Sequence, residues 1–267
     1  MDDFRLTDDQ TARFRADGYL LVGRLFDREE IDLLGTIARS DDELAREAAG
    51  RRDGQGGVVK LALHNDLRDD IYAAFVRCRR VVGAMERLLG GEVYHFHHKM
   101  ILKDPYVGGA WEWHQDYGYW YREGCLFPDL ASCFIAVDRA TEENGCLQVV
   151  RGSHRMGRID HTTVGDQTAA DPARVAAALE RLELVHVAMG PGDALFFHAN
   201  TLHRSDRNRS PDPRWAFIGC YNVAGNDPSE GSRHPRYSPL EVWPDARIKE
   251  IGGRTFVHAR VVKPILA

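Results

Sequence analysis

The stretch Trp113-His114-Gln115-Asp116-Tyr117 places an imidazole and a carboxylate two positions apart. Side chains at positions i and i+2 of an extended segment project from the same face. We therefore expect His114 and Asp116 to converge on one ion. With 12 histidines in 267 residues, a His-x-Asp tripeptide arises about once by chance, so its meaning depends on the fold around it.

Short apolar runs separated by turn residues surround this stretch and predict a mainly β fold with added helices. The candidate strands are residues 94–102, 132–137, 146–150, 184–189, 194–198 and 215–223. No long helix alternates with them, which disfavours a doubly wound parallel sheet. The pattern favours an antiparallel barrel or jelly roll with helices packed outside.

Residues 1–91 predict mostly helices that support this barrel. Capping boxes at Thr7 and Asp27 open two helices on either side of an apolar stretch at residues 19–22. A third helix is expected over residues 67–89, capped by Asn65 or Asp66. Glycine-rich residues 51–57 predict a mobile loop, and residues 172–182 predict a short helix. We expect one domain, with residues 1–91 as helical support, 92–225 as the catalytic β core and 226–267 as a C-terminal extension.

The composition is that of a soluble globular protein, with 43% hydrophobic residues and a formal charge of -5. This charge argues against a general nucleic-acid partner, because phosphate binding needs clustered positive charge. No apolar run reaches the length of a membrane helix, and the acidic start, residues 1–3, is unlike a signal peptide. The five cysteines form no CxxC pair and predict buried free thiols. We therefore expect a cytoplasmic location.

A third metal ligand is expected after the strand at residues 194–198, where His198 and His203 compete. Two histidines and one carboxylate form the facial triad of non-haem Fe(II) oxygenases, which leaves open positions for a co-substrate and O₂. A zinc site would keep fewer open positions. Arg214 heads the last predicted strand, and its guanidinium can bind a dicarboxylate through a bidentate pair.

These residues, in this order, resemble the phytanoyl-CoA dioxygenase family of Fe(II)/2-oxoglutarate oxygenases. The resemblance rests on residues 113–117, 138–147, 152–155 and 200–205 and on Arg214, and it runs from about residue 94 to 223. It implies a double-stranded β-helix, which is a cupin-like jelly roll. It also implies that His114, Asp116 and His203 bind iron, so that His203 is preferred to His198, and that Arg214 binds the distal carboxylate of 2-oxoglutarate.

The sequence is also similar to ectoine hydroxylases, and this similarity suggests further site residues. By that comparison Trp120 and Ser132 line the 2-oxoglutarate pocket, and a polar residue of residues 97–100, His98 or Lys99, contacts the co-substrate. Trp111 falls near the metal. Trp111, Tyr117 and Tyr119 belong to an aromatic run that predicts a wall of the substrate pocket.

The resemblance implies hydroxylation of an unactivated C–H bond of a small metabolite, with release of succinate and CO₂. Fe(II), 2-oxoglutarate and O₂ are the expected cofactors, with ascorbate as a stimulant. Retention of Asp116 favours hydroxylation, because halogenating relatives lack this carboxylate. The alternatives are a hydroxylase of acyl-CoA or carrier-bound acyl groups and, from another class, a non-catalytic cupin-like binding protein. We expect a monomer or homodimer with no nucleic-acid or membrane partner.

Overall fold

The computed structural model describes residues 4–262, with side chains as far as residue 255. The acidic start, residues 1–3, and the end of the C-terminal extension, residues 263–267, lie outside the described residues. Helices and strands contain similar numbers of residues. The predicted antiparallel sheets with added helices are confirmed, but the helices are as extensive as the strands, so the protein is a mixed helix and sheet structure.

The first third of the chain is largely helical, as predicted. Its elements are, in chain order, α1 (Asp8–Asp17), β1 (Tyr19–Val22), α2 (Arg28–Ser40), α3 (Asp42–Glu47), β2 (Ala49–Arg52), β3 (Val58–His64), α4 (Ile71–Arg77) and α5 (Arg79–Leu89). Both predicted capping boxes are confirmed: the side chain of Thr7 accepts the N–H of Gln10, and that of Asp27 accepts the N–H of Glu30. These bonds satisfy free N–H donors, so α1 and α2 begin where the sequence indicates.

The prediction of a single helix over residues 67–89 is wrong, because the helical conformation is interrupted at Cys78. The backbone of Cys78 is extended, with φ −63° and ψ 138°. The N–H of Arg79 donates to the carbonyl of Trp243, and the N–H of Trp243 donates to the carbonyl of Arg77. A segment from the far end of the chain thus supplies hydrogen bonds that a continuous helix would make internally.

The start of α4 also differs from the prediction. Its N-cap is Asp70, whose carboxylate accepts the N–H of Ala73. Asn65 is not a cap; its side-chain amide donates to the carbonyl of Arg233. Since Asp66 does not cap the helix either, the predicted caps are wrong.

The predicted mobile loop at residues 51–57 is instead an ordered turn between β2 and β3. Asp53 is buried there, and its carboxylate accepts the N–H groups of Gln55, Gly57 and Ala110. Burial opposes ionisation, but Arg207 and these backbone donors lower the pKa of Asp53 to about 2. A buried carboxylate with this many donors holds the turn together.

The six strands predicted after residue 91 are confirmed, and the predicted short helix corresponds to α7. The elements are β4 (Val93–Lys103), β5 (Trp111–His114), α6 (Asp116–Trp120), β6 (Leu130–Ala136), β7 (Leu147–Val150), a 3-10 turn (Ser153–Met156), β8 (His161–Val164), β9 (Gln167–Ala170), α7 (Pro172–Leu179), β10 (Leu184–Val187), β11 (Ala194–His198), β12 (His203–Ser205), β13 (Arg214–Val223) and α8 (Arg247–Val262).

Two antiparallel sheets and a hairpin contain these strands. The larger sheet has the order β1-β11-β6-β13-β4-β3-β2, the smaller has the order β10-β7-β12-β5, and β8 pairs with β9. One apolar core joins side chains of both sheets, such as Phe96, Ile218 and Val149. A second core packs the helices, including α8, against the other face of the larger sheet. No helix among the described residues is long and apolar enough to span a bilayer.

Candidate metal centre

His114, Asp116 and His203 come together where the smaller sheet meets α6. His114 ends β5, His203 begins β12, and the two residues are register partners. The Oδ1 atom of Asp116 lies 3.6 Å from Nε2 of His114 and 4.0 Å from Nε2 of His203. The three ligand atoms lie within 4.8 Å of one another, a spacing that suits one shared ion. The predicted i, i+2 convergence holds even though Asp116 opens a helix, because Gln115 between them is extended.

Backbone carbonyls orient both imidazoles toward the carboxylate. Nδ1 of His114 lies 2.8 Å from the carbonyl oxygen of Glu112, and Nδ1 of His203 lies 2.8 Å from that of Thr201. A carbonyl oxygen only accepts hydrogen bonds, so each Nδ1 carries the proton. Each Nε2 therefore keeps its lone pair for a metal.

The electrostatics favour the ligand forms of the cluster at neutral pH. Burial by itself would raise the pKa of Asp116, but Lys99, whose Nζ lies 3.8 Å from Oδ1, and the two imidazoles lower it well below its usual value. Burial lowers the pKa of His203 to about 3. An ionised carboxylate and a neutral imidazole are the forms that coordinate iron, so the donor set fits Fe(II).

Ser132 supports the carboxylate from β6. Its Oγ donates to Oδ2 of Asp116 at 3.0 Å, and both side chains are buried. Oδ1, the oxygen nearest the imidazoles, is left for the metal. Ser132 thus contacts a predicted ligand directly, whereas the sequence comparison suggested contact with the co-substrate.

Gln115 anchors the backbone between His114 and Asp116. Its amide nitrogen donates to the carbonyls of Gly157 and Asn200, and its amide oxygen accepts the N–H of Ile159. The side chain is fully buried. This role of Gln115 cannot be predicted from the sequence, because a glutamine between two candidate ligands carries no signal of its partners.

Two cavities adjoin the cluster. The inner cavity lies between the sheets, and its polar lining is Lys99, His114, His203, Arg204, Ser205 and Arg214. The outer cavity opens beside α6, and its lining includes Trp111, Tyr119, Trp120, His97, Glu47 and Arg51. Lys99, Trp111 and His114 line both cavities. A molecule in either cavity can therefore approach the metal-binding cluster.

Arg214 is a buried cation in the inner cavity. One of its terminal nitrogens, Nη2, donates to the carbonyl of Gly145 at 3.0 Å, and its Nε is buried without a hydrogen-bond partner among the described residues. Burial lowers the pKa of Arg214 to about 10, so the guanidinium remains charged at neutral pH. A buried guanidinium with unused donors favours a bound anion, and a carboxylate fits its fork.

The structure separates two predicted site residues from the cluster. His98 faces the opposite side of β4, where it lies 3.1 Å from a nitrogen of His95 and stacks on Tyr72. Side chains alternate along a strand, so Lys99 points to the cluster and His98 cannot. The hydroxyl of Tyr117 donates to the carbonyls of Cys125 and Leu126, and Tyr117 lines neither cavity. The predictions that His98 contacts the co-substrate and that Tyr117 lines the substrate pocket do not agree with this geometry, because neither residue lines either cavity.

Three of the remaining predicted residues line the outer cavity, and His198 lines neither cavity. Trp111 and Tyr119 line the outer cavity, and Trp120 does so too, with its ring 5.7 Å from that of His97. Trp120 does not line the inner cavity with Arg214, where the sequence comparison expected it. His198 lies outside the metal cluster, and its Nδ1 accepts the N–H of Asn200.

Solved structures with this fold include iron enzymes that use 2-oxoglutarate. EctD from S. alaskensis with 2-oxoglutarate and 5-hydroxyectoine superposes with a TM-score of 0.77, over 90% of this chain and 89% of that one, at 24% identity. The non-haem α-ketoglutarate-dependent epimerase SnoN from nogalamycin biosynthesis gives 0.65, over 90% and 96%, at 21% identity. At these identities the likeness concerns the fold.

Relatives of known activity are closer in sequence. L-proline trans-4-hydroxylase of Streptomyces griseoviridis is 30% identical over 243 residues, which cover 85% of this chain and 90% of the relative. Ectoine dioxygenase of Bordetella parapertussis is 30% identical over 249 residues, which cover 86% and 80%. Together with the His-Asp-His cluster, these relatives define a non-haem iron dioxygenase that depends on 2-oxoglutarate.

The family can be stated more closely than the class. Residues 14–216 match the family described as phytanoyl-CoA dioxygenase (PhyH), which is more than half of the chain. The chain belongs to the phytanoyl-CoA dioxygenase family, as the sequence motifs around His114 and His203 indicated.

Proposed function

We propose that this enzyme hydroxylates an unactivated C–H bond of a small metabolite and converts 2-oxoglutarate and O₂ to succinate and CO₂. One observation carries the proposal: the cluster of His114, Asp116 and His203 adjoins two cavities. These are the inner cavity, which contains the buried guanidinium of Arg214, and the larger outer cavity. A two-electron oxidation of this kind needs a metal, a co-substrate and a substrate side by side, and the two cavities supply the space for them.

In this proposal His114, Asp116 and His203 hold Fe(II), and Arg214 binds the distal carboxylate of 2-oxoglutarate. Iron held there would supply the activation of O₂, with electrons from decarboxylation of the co-substrate. Arg214 orients the co-substrate through a charge-assisted pair, and apolar side chains around it, among them Phe134, exclude water. Lys99, which lines both cavities, remains the candidate for a second polar contact to the co-substrate.

The outer cavity is the proposed substrate site. Trp111 and Tyr119 form its wall near the metal cluster, and the hydroxyl of Tyr119 is held by the carbonyl of Thr168. Charged side chains of both signs, including Glu47 and Arg51, line its outer part. This lining suits a small polar metabolite better than a long apolar chain. Proline and ectoine, named for the relatives, belong to that size class.

The arginines that could recognise the phosphates of an acyl-CoA are mostly engaged in ion pairs. Five arginines are candidates for this role, and four of them have carboxylate partners; the five are Arg151, Arg155, Arg158, Arg204 and Arg207. These pairs are Arg151 with Asp17 and Glu183, Arg158 with Asp160, Arg204 with Asp206, and Arg207 with Asp53. An acyl-CoA substrate would have to break such pairs, so the structure favours a free metabolite. A non-catalytic binding role is disfavoured, because the relatives are enzymes.

We further propose that the two sheets form a double-stranded β-helix and that the chain is one domain. Support comes from α8, which belongs to the C-terminal extension yet packs on α2 and α4. A monomer or homodimer in the cytoplasm is the expected state. The five cysteines agree with this location, since all are buried and unpaired, as they would be in a reducing compartment.

Succinate release and metal binding test the proposed function. The purified enzyme is titrated anaerobically with Fe(II) and 2-oxoglutarate, and visible absorption of the complex is recorded. We expect a charge-transfer band that disappears in His203→Ala and persists in the matched variant His198→Ala. Substrates are then sought by succinate release across a panel of small metabolites and acyl-CoAs, with uncoupled turnover subtracted. A band that survives in His203→Ala, or that is absent from the wild type, contradicts the proposal.

A further inference from the structure

Lys103 is a second buried base next to Arg214. It is the last residue of β4 and the register partner of Arg214 in β13, so the two side chains share one face of the sheet. The exposed fraction of Lys103 is 0%. Its Nζ donates to the carbonyl of Asp206.

Gly145 brings the two bases together. Its carbonyl accepts from Arg214, and a Cβ built on Gly145 would lie 3.2 Å from Nζ of Lys103. The same Cβ would lie 2.2 Å from the carbonyl oxygen of Asp206, and the φ of Gly145 is 79°. Only glycine adopts this conformation without strain and leaves room for both basic side chains. The turn at Gly145 therefore packs closely against Lys103 and Arg214.

Neither base has a carboxylate partner within ion-pair distance among the residues whose side chains are described. The acids that act on Lys103 are Asp206 and Asp53, and both are engaged: Asp206 pairs with Arg204, and Asp53 pairs with Arg207. Two adjacent buried bases without a counter-charge repel each other when both are protonated.

This repulsion acts mainly on Lys103. Burial and the charge of Arg214 hold the pKa of Lys103 well below its usual value, although Asp206, Asp53 and Cys146 act in the opposite direction. The thiol of Cys146 is itself neutral at pH 7, since burial raises its pKa to about 11. A neutral amine still donates a hydrogen bond to the Asp206 carbonyl, so the local geometry is kept in either form.

We propose that Lys103 is a positioning residue that takes up a proton from solvent when a carboxylate binds to Arg214. Burial disfavours the charged form of Lys103, and the charge of Arg214 disfavours it further. The bound carboxylate compensates the charge of the guanidinium, so the part of this effect that comes from Arg214 is removed. The resulting ammonium lies next to Arg214 and attracts the same carboxylate, so it strengthens the binding of this carboxylate. The inference rests on the proposed role of Arg214 as the site of the distal carboxylate of 2-oxoglutarate.

Isothermal titration calorimetry tests this coupling. The Fe(II) enzyme is titrated anaerobically with 2-oxoglutarate at pH 7 and pH 8, in buffers with different ionisation enthalpies, so that proton uptake is measured with the affinity. We expect the wild type to take up a fraction of a proton and its Kd to rise by up to about tenfold per pH unit. Lys103→Met keeps the length of the side chain without its charge, and we expect its Kd to change much less with pH.

Lys60→Met is the matched control. Lys60 is exposed on β3 and pairs with Asp104, so this variant should behave as the wild type. Circular dichroism verifies folding, and Lys103→Gln replaces Lys103→Met if the latter does not fold. Absence of proton uptake by the wild type, or equal uptake by the Lys103 variant, overturns the proposal. If Arg214→Ala binds 2-oxoglutarate as tightly as the wild type, the role of Arg214 fails instead, which separates the two outcomes.

Discussion

Ser132→Ala distinguishes two roles for a buried serine at the metal centre: support of the Asp116 carboxylate and contact with 2-oxoglutarate. The substitution removes the hydroxyl that donates to Oδ2 of Asp116 at 3.0 Å and leaves that oxygen buried with one donor fewer. A hydrogen bond to a charged group contributes about 1.5–3 kcal/mol. Since about 1.4 kcal/mol corresponds to a tenfold change in affinity, we expect Fe(II) to bind about 10- to 100-fold more weakly.

Anaerobic Fe(II) titration against a competing chelator measures this loss. Ser210→Ala is the control, because Ser210 is also buried and hydrogen-bonded but lies in the loop before β13, away from the cluster. We expect Ser210→Ala to keep the Fe(II) affinity of the wild type, and the KM for 2-oxoglutarate in Ser132→Ala to change little once iron is saturating. The opposite result, unchanged iron affinity with a raised KM, refutes the structural argument and favours the co-substrate contact expected from sequence.

Three further predictions concern packing, charge and pH. Gly118→Ala would place a Cβ 2.2 Å from the His161 ring beside the metal ligands, so it should cost about 1–3 kcal/mol of stability and weaken iron binding. Arg80→Met leaves two buried carboxylates unpaired and should lower the free energy of unfolding by about 3–5 kcal/mol in urea titrations. Burial lowers the pKa of His95 to about 3, so the unfolded chain binds more protons below about pH 6.5, and stability should fall by about 1.4 kcal/mol per pH unit for each such histidine as pH decreases.

Each of these predictions has a result that would contradict it. Gly83→Ala, in open space on α5, is the control for packing and should be neutral or stabilising; equal destabilisation of both alanine variants argues against a local clash. Arg28→Met removes an exposed pair and should cost less than about 1 kcal/mol, so a loss as large as that of Arg80→Met would be inconsistent. A urea midpoint that stays constant from pH 7 to pH 5 excludes the proton linkage.

Local patterns account for the elements that were predicted well. The capping boxes at Thr7 and Asp27 act over three residues, and the apolar runs of the six strands reflect burial of neighbouring side chains. The break at Cys78 was missed because its cause is a backbone pairing with Trp243, far along the chain. The turn at Asp53 was missed for the same reason, since its donors include Ala110 from a later loop.

The prediction of site residues from sequence fails where it depends on which face of a strand a side chain occupies. Which of His98 and Lys99 points to the cluster depends on the pleat of β4, and a shift of one residue reverses every side chain. The aromatic run after Asp116 raised the same difficulty, because Tyr117 and Tyr119 lie on different faces of α6.

The sequence by itself determined the types and order of the metal-binding residues, because His114 and Asp116 are near neighbours on an extended backbone and the family motif supplies His203 and Arg214. Only the tertiary structure decided which residues contact and support these side chains. Pairing between β4 and β13 sets Lys103 beside Arg214, and pairing within the larger sheet aims Ser132 at Asp116. Such contacts join distant parts of the chain, and they form only when long-range strand register is established.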